Sequence, residues 1–536
     1  MVTLTPVRTS PGPTTAERVL VPDTPGPGGY HRLRTGPGEP HLARTDLGGT
    51  APPGSLRPLL AFVQLSDLHV VDAQSPSRAE FLDRLGDPDS PVAATIGPIG
   101  AYRPQEAMSF HVVDAMMQAV NRLTGGPVTG QPLSFVISTG DNVDNGQRNE
   151  LDAYIRLLDG GGRVRPDSGG SSWEGVGSPD WYDPRYWHPD GTPAGEGDDV
   201  PRGERGFPVV PGLLDAARQP FGPIGAGLPW YEVHGNHDEL LGGTVPAAAG
   251  LAWLARGRRK PTGLAWSPSA EVVEDILGDH RRRPPDLLRE LGSATWREVT
   301  PDPGRVPART AGWLEAHRRD GARPARARTW YGFDAGRFRC LVLDTVNAHG
   351  GWQGSLDAEQ AVWLEAELEA GSSGGGEDRT FLIFSHHPLA TLINDYAPDG
   401  RRRVLGAEVA AIIDRHPNVA VWFNGHTHTH AVRAHPRTTG PGWWEVTTAS
   451  HADWPQQGRV VELAEDPVDG SLVVVTTVID HAGILDPRHA GLGDPTTLAG
   501  WSRELAANHW QRARVGDEPA GRGDRSDRNT LLVRPC

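Results

Sequence analysis

Five short apolar runs in this 536-residue chain each stop at a residue able to bind a metal. That recurrence constrains the fold more than any other feature. Residues 59–66 lead into Asp67-Leu68-His69, and residues 132–138 into Thr139-Gly140-Asp141. Residues 228–234 open into Gly235-Asn236-His237-Asp238, and 381–385 into His386-His387-Pro388. Residues 419–423 end in Asn424-Gly425-His426-Thr427-His428. A short, continuous apolar run suits a strand covered on both faces. In an open α/β sheet, ligands gather beyond the carboxyl ends of such strands. One strand ending this way is ordinary. Five of them, each with Gly, Ser or Asn at the bend, point to one shared site.

The donor types narrow the chemistry. Aspartate, asparagine and histidine without a thiolate suit Zn, Fe or Mn rather than a cysteine-rich structural zinc site. Side chains alternate along a strand end, so Asp67 and His69 share a side. His426 and His428, one residue apart, can each give a nitrogen to a separate ion of a close pair. A bridging position needs a carboxylate with two faces, and Asp141 fits it.

The remaining chain is read around these runs. Residues 1–58, rich in Pro, Thr and Gly, read as an extended surface arm, and 59–480 as the main domain. Helical spacing predicts helices over 104–123, 150–158, 357–369 and 404–416, the first with Ala107, Phe110, Val113, Met117 and Val120 on one stripe and the third with Val362, Leu364 and Leu368. Residues 329–333 and 337–343 read as a hairpin, and the chain after the histidine cluster reads as β: 431–435, 443–449, 459–463 and 472–479. Two long inserts interrupt the domain, at about 159–228 and 240–327. The first is net acidic, with Trp173, Trp181, Tyr182, Tyr186 and Trp187 read as packing on one another. The second is net basic, with helices expected over 244–256, 270–277, 285–291 and 311–318. Opposite charge would dock the inserts on each other or leave a basic lid that attracts phosphate. Residues 481–536 read as a C-terminal helix (498–512) and a polar tail.

The charge balance, 52 Lys plus Arg against 67 Asp plus Glu, gives −15 and disfavours a non-specific nucleic-acid binder. There is no apolar run long enough to span a bilayer. No secretion signal is visible, which makes the expected location cytoplasmic. The two cysteines, Cys340 in an apolar run and Cys536 at the end, read as free thiols.

The ordered set Asp67-x-His69, Gly140-Asp141, Gly235-Asn236-His237-Asp238, His386 and Gly425-His426-x-His428 resembles the calcineurin-like metallophosphoesterases, and the long inserts resemble a subgroup known from actinobacteria. The resemblance implies an α/β fold, a four-layer α/β/β/α sandwich of two mixed sheets. It implies one ion on Asp67, His69, Asp141 and His428, and a second on Asp141, Asn236, His386 and His426. His237 would then be the acid that protonates the leaving group. Asp238 would orient His237 or cap the helix that follows. The implied activity is hydrolysis of a small-molecule phosphate ester by a dinuclear centre of Mn, Zn or Fe. A nuclease, or a metal-stabilised binding protein without catalysis, is the alternative. Two positions depart from related families. Asp144 stands where purple acid phosphatases carry tyrosine, and Asn145 where phosphoprotein phosphatases carry arginine. Three further histidines lie near the set: His387, His430 and His451, the last a candidate substrate contact.

Overall fold

The computed structural model describes residues 13–247, 249–264, 294–317, 328–371 and 379–536. The expected helices over 270–277 and 285–291 lie outside them. The chain is mixed α/β, with two large mixed sheets. In the seven-stranded sheet the order is Leu42–Arg44, Thr530–Arg534, Leu472–Asp480, Gln457–Glu465, Arg57–Leu65, Val136–Ser138 and Trp230–Glu232. The last three are parallel and in register, with Leu65 opposite Ser138 and Ser138 opposite Glu232. Asp67, Asp141 and Asn236 therefore leave the sheet along one edge.

The six-stranded sheet runs Ala431–His435, Trp443–Thr447, Val419–Asn424, Thr380–Phe384, Phe338–Val342 and Tyr331–Ala335. Thr380–Phe384 and Val419–Asn424 are parallel, with Phe384 opposite Phe423. His386 and the 426–428 loop emerge together as a result.

Apolar side chains of the two sheets meet in one core. Phe62, Ile137 and Val461 from the first sheet share it with Leu382, Phe384 and Phe423 from the second. Phe62 lies edge-on to both Phe384 and Phe423, with centroids 5.8 and 5.4 Å away. A second core joins Val63, Leu65 and Val136 to helices Ser109–Asn121 and Arg148–Asp159. Phe110, Val113, Met117 and Val120 of the expected stripe are all in it. A third core joins Leu341, Ile383 and Trp422 to helices Ala358–Ala370 and Gly406–Asp414. On Ala358–Ala370 the buried stripe is Ala361, Leu364 and Leu368, whereas Val362 is 70% exposed. The stripe follows the i, i+3, i+7 rows, and Val362 falls off it.

Both chain ends join the first sheet. Leu42–Arg44, from the segment read as a surface arm, pairs in parallel with Thr530–Arg534, from the segment read as a tail. The buried Arg459 guanidinium donates to the Asp527 and Arg528 carbonyls and ties residues 527–528 inward. The inserts do touch. Glu174 of the first accepts from Thr300 of the second at 2.8 Å through both N–H and Oγ. The first insert buries Trp173, Tyr186 and Trp187, and Tyr186 packs on Tyr102. The second contributes helices Ala249–Arg256 and Arg309–Ala316 and an unanticipated antiparallel strand pair, Arg259–Leu264 with Ala294–Glu298. Among the described residues, no helix is long and apolar enough to cross a membrane.

Candidate metal centre

The strand-end loops turn back on themselves to aim their side chains. Asp67, His69, Asp141, His426 and His428 have φ of 51°, 43°, 49°, 68° and 56°. These are five of only seven non-glycine described residues with positive φ. Left-handed backbone is costly for such residues and persists where surrounding structure enforces it, commonly at functional sites. The loops also press together. A side chain at Gly425 would come within 1.8 Å of Ser66 Oγ and 2.5 Å of Asp67 Oδ2, so only glycine fits there.

Hydrogen bonds set the ring tautomers. His69 Nδ1–H donates to Asp144 Oδ1 at 2.7 Å, and His428 Nδ1–H donates to Asp453 Oδ2 at 2.6 Å. His386 Nδ1–H donates to the Thr139 carbonyl at 2.9 Å. Carboxylates and carbonyls only accept, so each ring keeps a lone pair on Nε2. Those lone pairs converge. His428 Nε2 is 3.3 Å from His69 Nε2 and 3.2 Å from Asp67 Oδ1. His386 Nε2 is 3.1 Å from Asp141 Oδ2 and 3.2 Å from His426 Nδ1. Lone pairs facing one another repel unless a metal ion or a shared proton lies among them. Two donors each about 2.1 Å from one ion sit roughly 3.0–3.4 Å apart, which is the spacing here. Asn236 Oδ1 is a buried polar atom without a hydrogen-bond partner. These features fit metal ligation.

Two clusters of ligand atoms within 4.8 Å of one another, Asp67 with His69 and His428, and Asp67 with Asp141 and His386, share Asp67. Asp141 Oδ2 lies 3.8 Å from His69 Nε2 and 3.1 Å from His386 Nε2, between the two sides. Its Oδ1 accepts the His237 backbone N–H at 2.8 Å. Burial opposes ionisation of Asp141, yet His386 and His237 beside it hold the carboxyl well below the usual range. His237 itself lies in a cluster with His69 and Asp141. Its Nδ1–H donates to the Asp144 carbonyl at 2.7 Å, which leaves Nε2 to exchange a proton.

Of the two roles expected of Asp238, orienting His237 or capping a helix, its hydrogen bonds are those of a cap. Its Oδ1 accepts from the Asn142 and Val143 N–H groups, both at 3.0 Å. Its Oδ2 accepts from Gly235 N–H at 2.8 Å and Asn142 Nδ2 at 2.9 Å. The carboxylate caps the short helix Asn236–Glu239 and clamps the loop at Asn142 and Val143 to Gly235. It is a residue of the backbone frame, turned away from the His237 ring's hydrogen bond.

The other histidines divide as follows. His387 lies beside His386 and His426, but Thr345 Oγ1 (2.7 Å) and the Trp352 carbonyl (3.1 Å) occupy its ring nitrogens. Burial pushes its pKa down to about 3. His430 is held by Arg459, the Ala449 N–H and Gln457. His451 Nδ1–H donates to the Ser66 carbonyl at 3.0 Å, and the ring lines a small cavity with His69 and Asp144 rather than the main cleft.

Asp144, Asp453 and Arg103 were not expected in the site. Asp144 is ion-paired with Arg78 and supports His69, and Asp453 supports His428. Arg103 Nε donates to Asp453 at 3.0 Å and its Nη1 lies 4.0 Å from Asp144, so it links the two supports. Against burial, Arg78 holds Asp144 well below the ordinary carboxylate range, and Arg103 and Arg512 do the same for Asp453. Asp144 had a local signal, a second carboxylate one turn beyond Asp141. Asp453 had none, because only the fold brings it to His428. Among the described residues that line the cleft, no cation comes from the second insert. Arg305 pairs with Asp72 at 2.7 Å and Lys260 with Glu80 at 2.6 Å, so these cations of the second insert are spent on buried partners. The site opens into a cleft of about 550 Å³.

No protein-family model and no curated protein matches the sequence. Among solved structures, the chain is similar to a dimetal phosphatase from Danio rerio, at 13% identity and a TM-score of 0.33, over 79% of this chain and 99% of that one.

Proposed function

We propose that the chain is a metal-dependent phosphoesterase acting on a small-molecule phosphate mono- or diester. The observation that carries this reading is the convergence of the imidazole lone pairs and carboxylate oxygens on two sides of Asp141 Oδ2. Asp67, His69, Asp141 and His428 would hold one ion, and Asp141, Asn236, His386 and His426 a second. Such a pair, of Mn, Zn or Fe, would supply charge neutralisation of a phosphate ester and activation of water near neutral pH. The chain's own residues do the rest. Asp144 and Asp453 fix two rings in the tautomer that leaves Nε2 free, which also makes them better donors. The Asp144 carbonyl fixes His237 so that Nε2, when protonated, can deliver a proton to the departing oxygen. A cleft of about 550 Å³ suits a small molecule better than a polymer. A four-layer α/β/β/α arrangement is supported by the three apolar cores, one between the sheets and one under the helices of each.

The test is elemental analysis of the purified chain with hydrolysis of p-nitrophenyl phosphate and bis(p-nitrophenyl) phosphate in added Mn, Zn or Fe. Two ions per chain with turnover is the expected result, and the preferred ester separates monoesterase from diesterase. Failure to bind metal after reconstitution would overturn the reading. Two ions with no turnover, and a His237→Asn variant indistinguishable from the parent, would favour a binding protein.

A further inference from the structure

We infer that the alcohol released from the substrate is apolar, an alkyl or aryl group seated against Leu241, Val245 and Leu251. This rests on the phosphoesterase reading above, and it narrows the substrate to esters with a hydrophobic leaving group.

The first step is the direction of departure. His237 Nδ1 is committed to the Asp144 carbonyl, so the proton must leave from Nε2. That edge of the ring lies against Gly243, where a side chain would come within 2.3 Å of Nε2. Gly243 also has φ of +69°, so the chain there is shaped to sit under the ring. The oxygen that receives the proton must approach the same edge. Its carbon substituent then lies along the 241–251 segment.

The second step is the chemistry of that wall. Leu241, Val245 and Leu251 line the cleft from this segment, and Leu82, Pro98 and Ile99 line it from another. Leu241, Val245 and Leu251 belong to one apolar cluster with Leu254. Among the described residues, no charged side chain lining the cleft comes from the stretch of Leu241, Val245 and Leu251; the charged ones are Arg78, Arg103, Asp141, Asp144, Asp453 and Arg512. The two best-placed cations are already engaged. Arg78 is bound by Asp144, Glu106 and the Ala101 carbonyl, and Arg103 by Asp453 and the Gly100 carbonyl. A sugar or a second phosphate laid along the aliphatic wall would lose water without replacement hydrogen bonds. A phosphate fills a small part of a cleft this size, so the remaining space matters to affinity.

The test is calorimetric titration of the metal-loaded full chain with linear alkylphosphonates, from methyl to dodecyl, whose carbon–phosphorus bond is not hydrolysed. Affinity should rise about two- to fourfold per added methylene. Levelling once the chain fills the cleft indicates a soluble ester. A rise continuing to dodecyl, with binding to vesicles of a phosphatidic acid, indicates a lipid. Val245→Asn should flatten the slope, and Ile99→Asn, half-buried on the other segment, keeps the test standing if the first variant does not fold. Methylphosphonate binding with no dependence on chain length, or tighter binding of a nucleoside phosphonate than of hexylphosphonate, would overturn the inference and leave the phosphoesterase reading intact. Loss of all phosphonate binding together with absence of hydrolysis would defeat both.

Discussion

Asp238→Ala separates a frame residue from a catalytic one. The Asp238 carboxylate is fully buried and accepts four hydrogen bonds, from three backbone N–H groups and the Asn142 side-chain amide. Truncation leaves those donors unpaired in a dry place. Each orphaned group costs about 1–3 kcal/mol. Water entering the space vacated by the carboxylate recovers part of this, so the expected loss is about 3–5 kcal/mol. That is a large fraction of the roughly 5–15 kcal/mol by which folded chains exceed unfolded ones. Urea unfolding of the chelated protein, followed by tryptophan fluorescence, measures the total. Hydrogen exchange of the peptide covering residues 140–146 measures it locally, because the Asn142 and Val143 amides lose their acceptor. Faster exchange there, with His237-dependent turnover on added metal reduced only in proportion to folded protein, is the expected pair of results. A loss under about 1 kcal/mol with unchanged exchange, and a displaced pH profile of hydrolysis, would mean that Asp238 acts on His237 after all.

Asp453→Asn should weaken metal binding about 10- to 100-fold in a chelator competition, because His428 loses the acceptor that sets its tautomer; unchanged affinity would remove Asp453 from the site. Gly243→Ala should lower turnover more on alkyl phosphates than on p-nitrophenyl phosphate, since an alkoxide needs the His237 proton and a nitrophenolate does not; equal losses would refute the placement of the departing oxygen. Burial pushes the Asp83 carboxyl up from 3.8 to about 7, so the fold favours its neutral form. That stabilisation is complete below about pH 4 and is lost as pH rises through 7. Thermal midpoints should therefore fall relative to Asp83→Asn between those values, and a difference independent of pH would contradict the burial argument.

Much of the site is legible locally. Apolar runs that must be covered become strands, and a polar residue just past a strand end is carried to the sheet edge whatever the partner strand is. Asp67, Asp141, Asn236, His386, His426 and His428 were singled out that way, and the two sheets carry them to neighbouring strand ends. Helix Ser109–Asn121 was found by its period, and its stripe is buried as the spacing requires. The same local reasoning put Val362 on a buried face, because a run of apolar residues does not say which row of a helix meets its neighbour.

What lay beyond the sequence depends on contacts between distant segments. Thr530–Arg534 is a five-residue run whose role as a strand comes from sitting between Leu472–Asp480 and Leu42–Arg44. Asp453 reaches His428 because two loops meet, and Asp238 turns to the Asn142 amides because the backbone there has unpaired donors to satisfy. The apolar wall of the cleft draws on Leu82, Pro98 and Ile99 and on Leu241, Val245 and Leu251, which only the tertiary fold brings together. Residue types and local periodicity determined which chemistry the chain could carry. The packing of segments far apart in sequence decided which groups support, aim and wall that chemistry, because hydrogen-bond partners and buried surfaces are chosen in space.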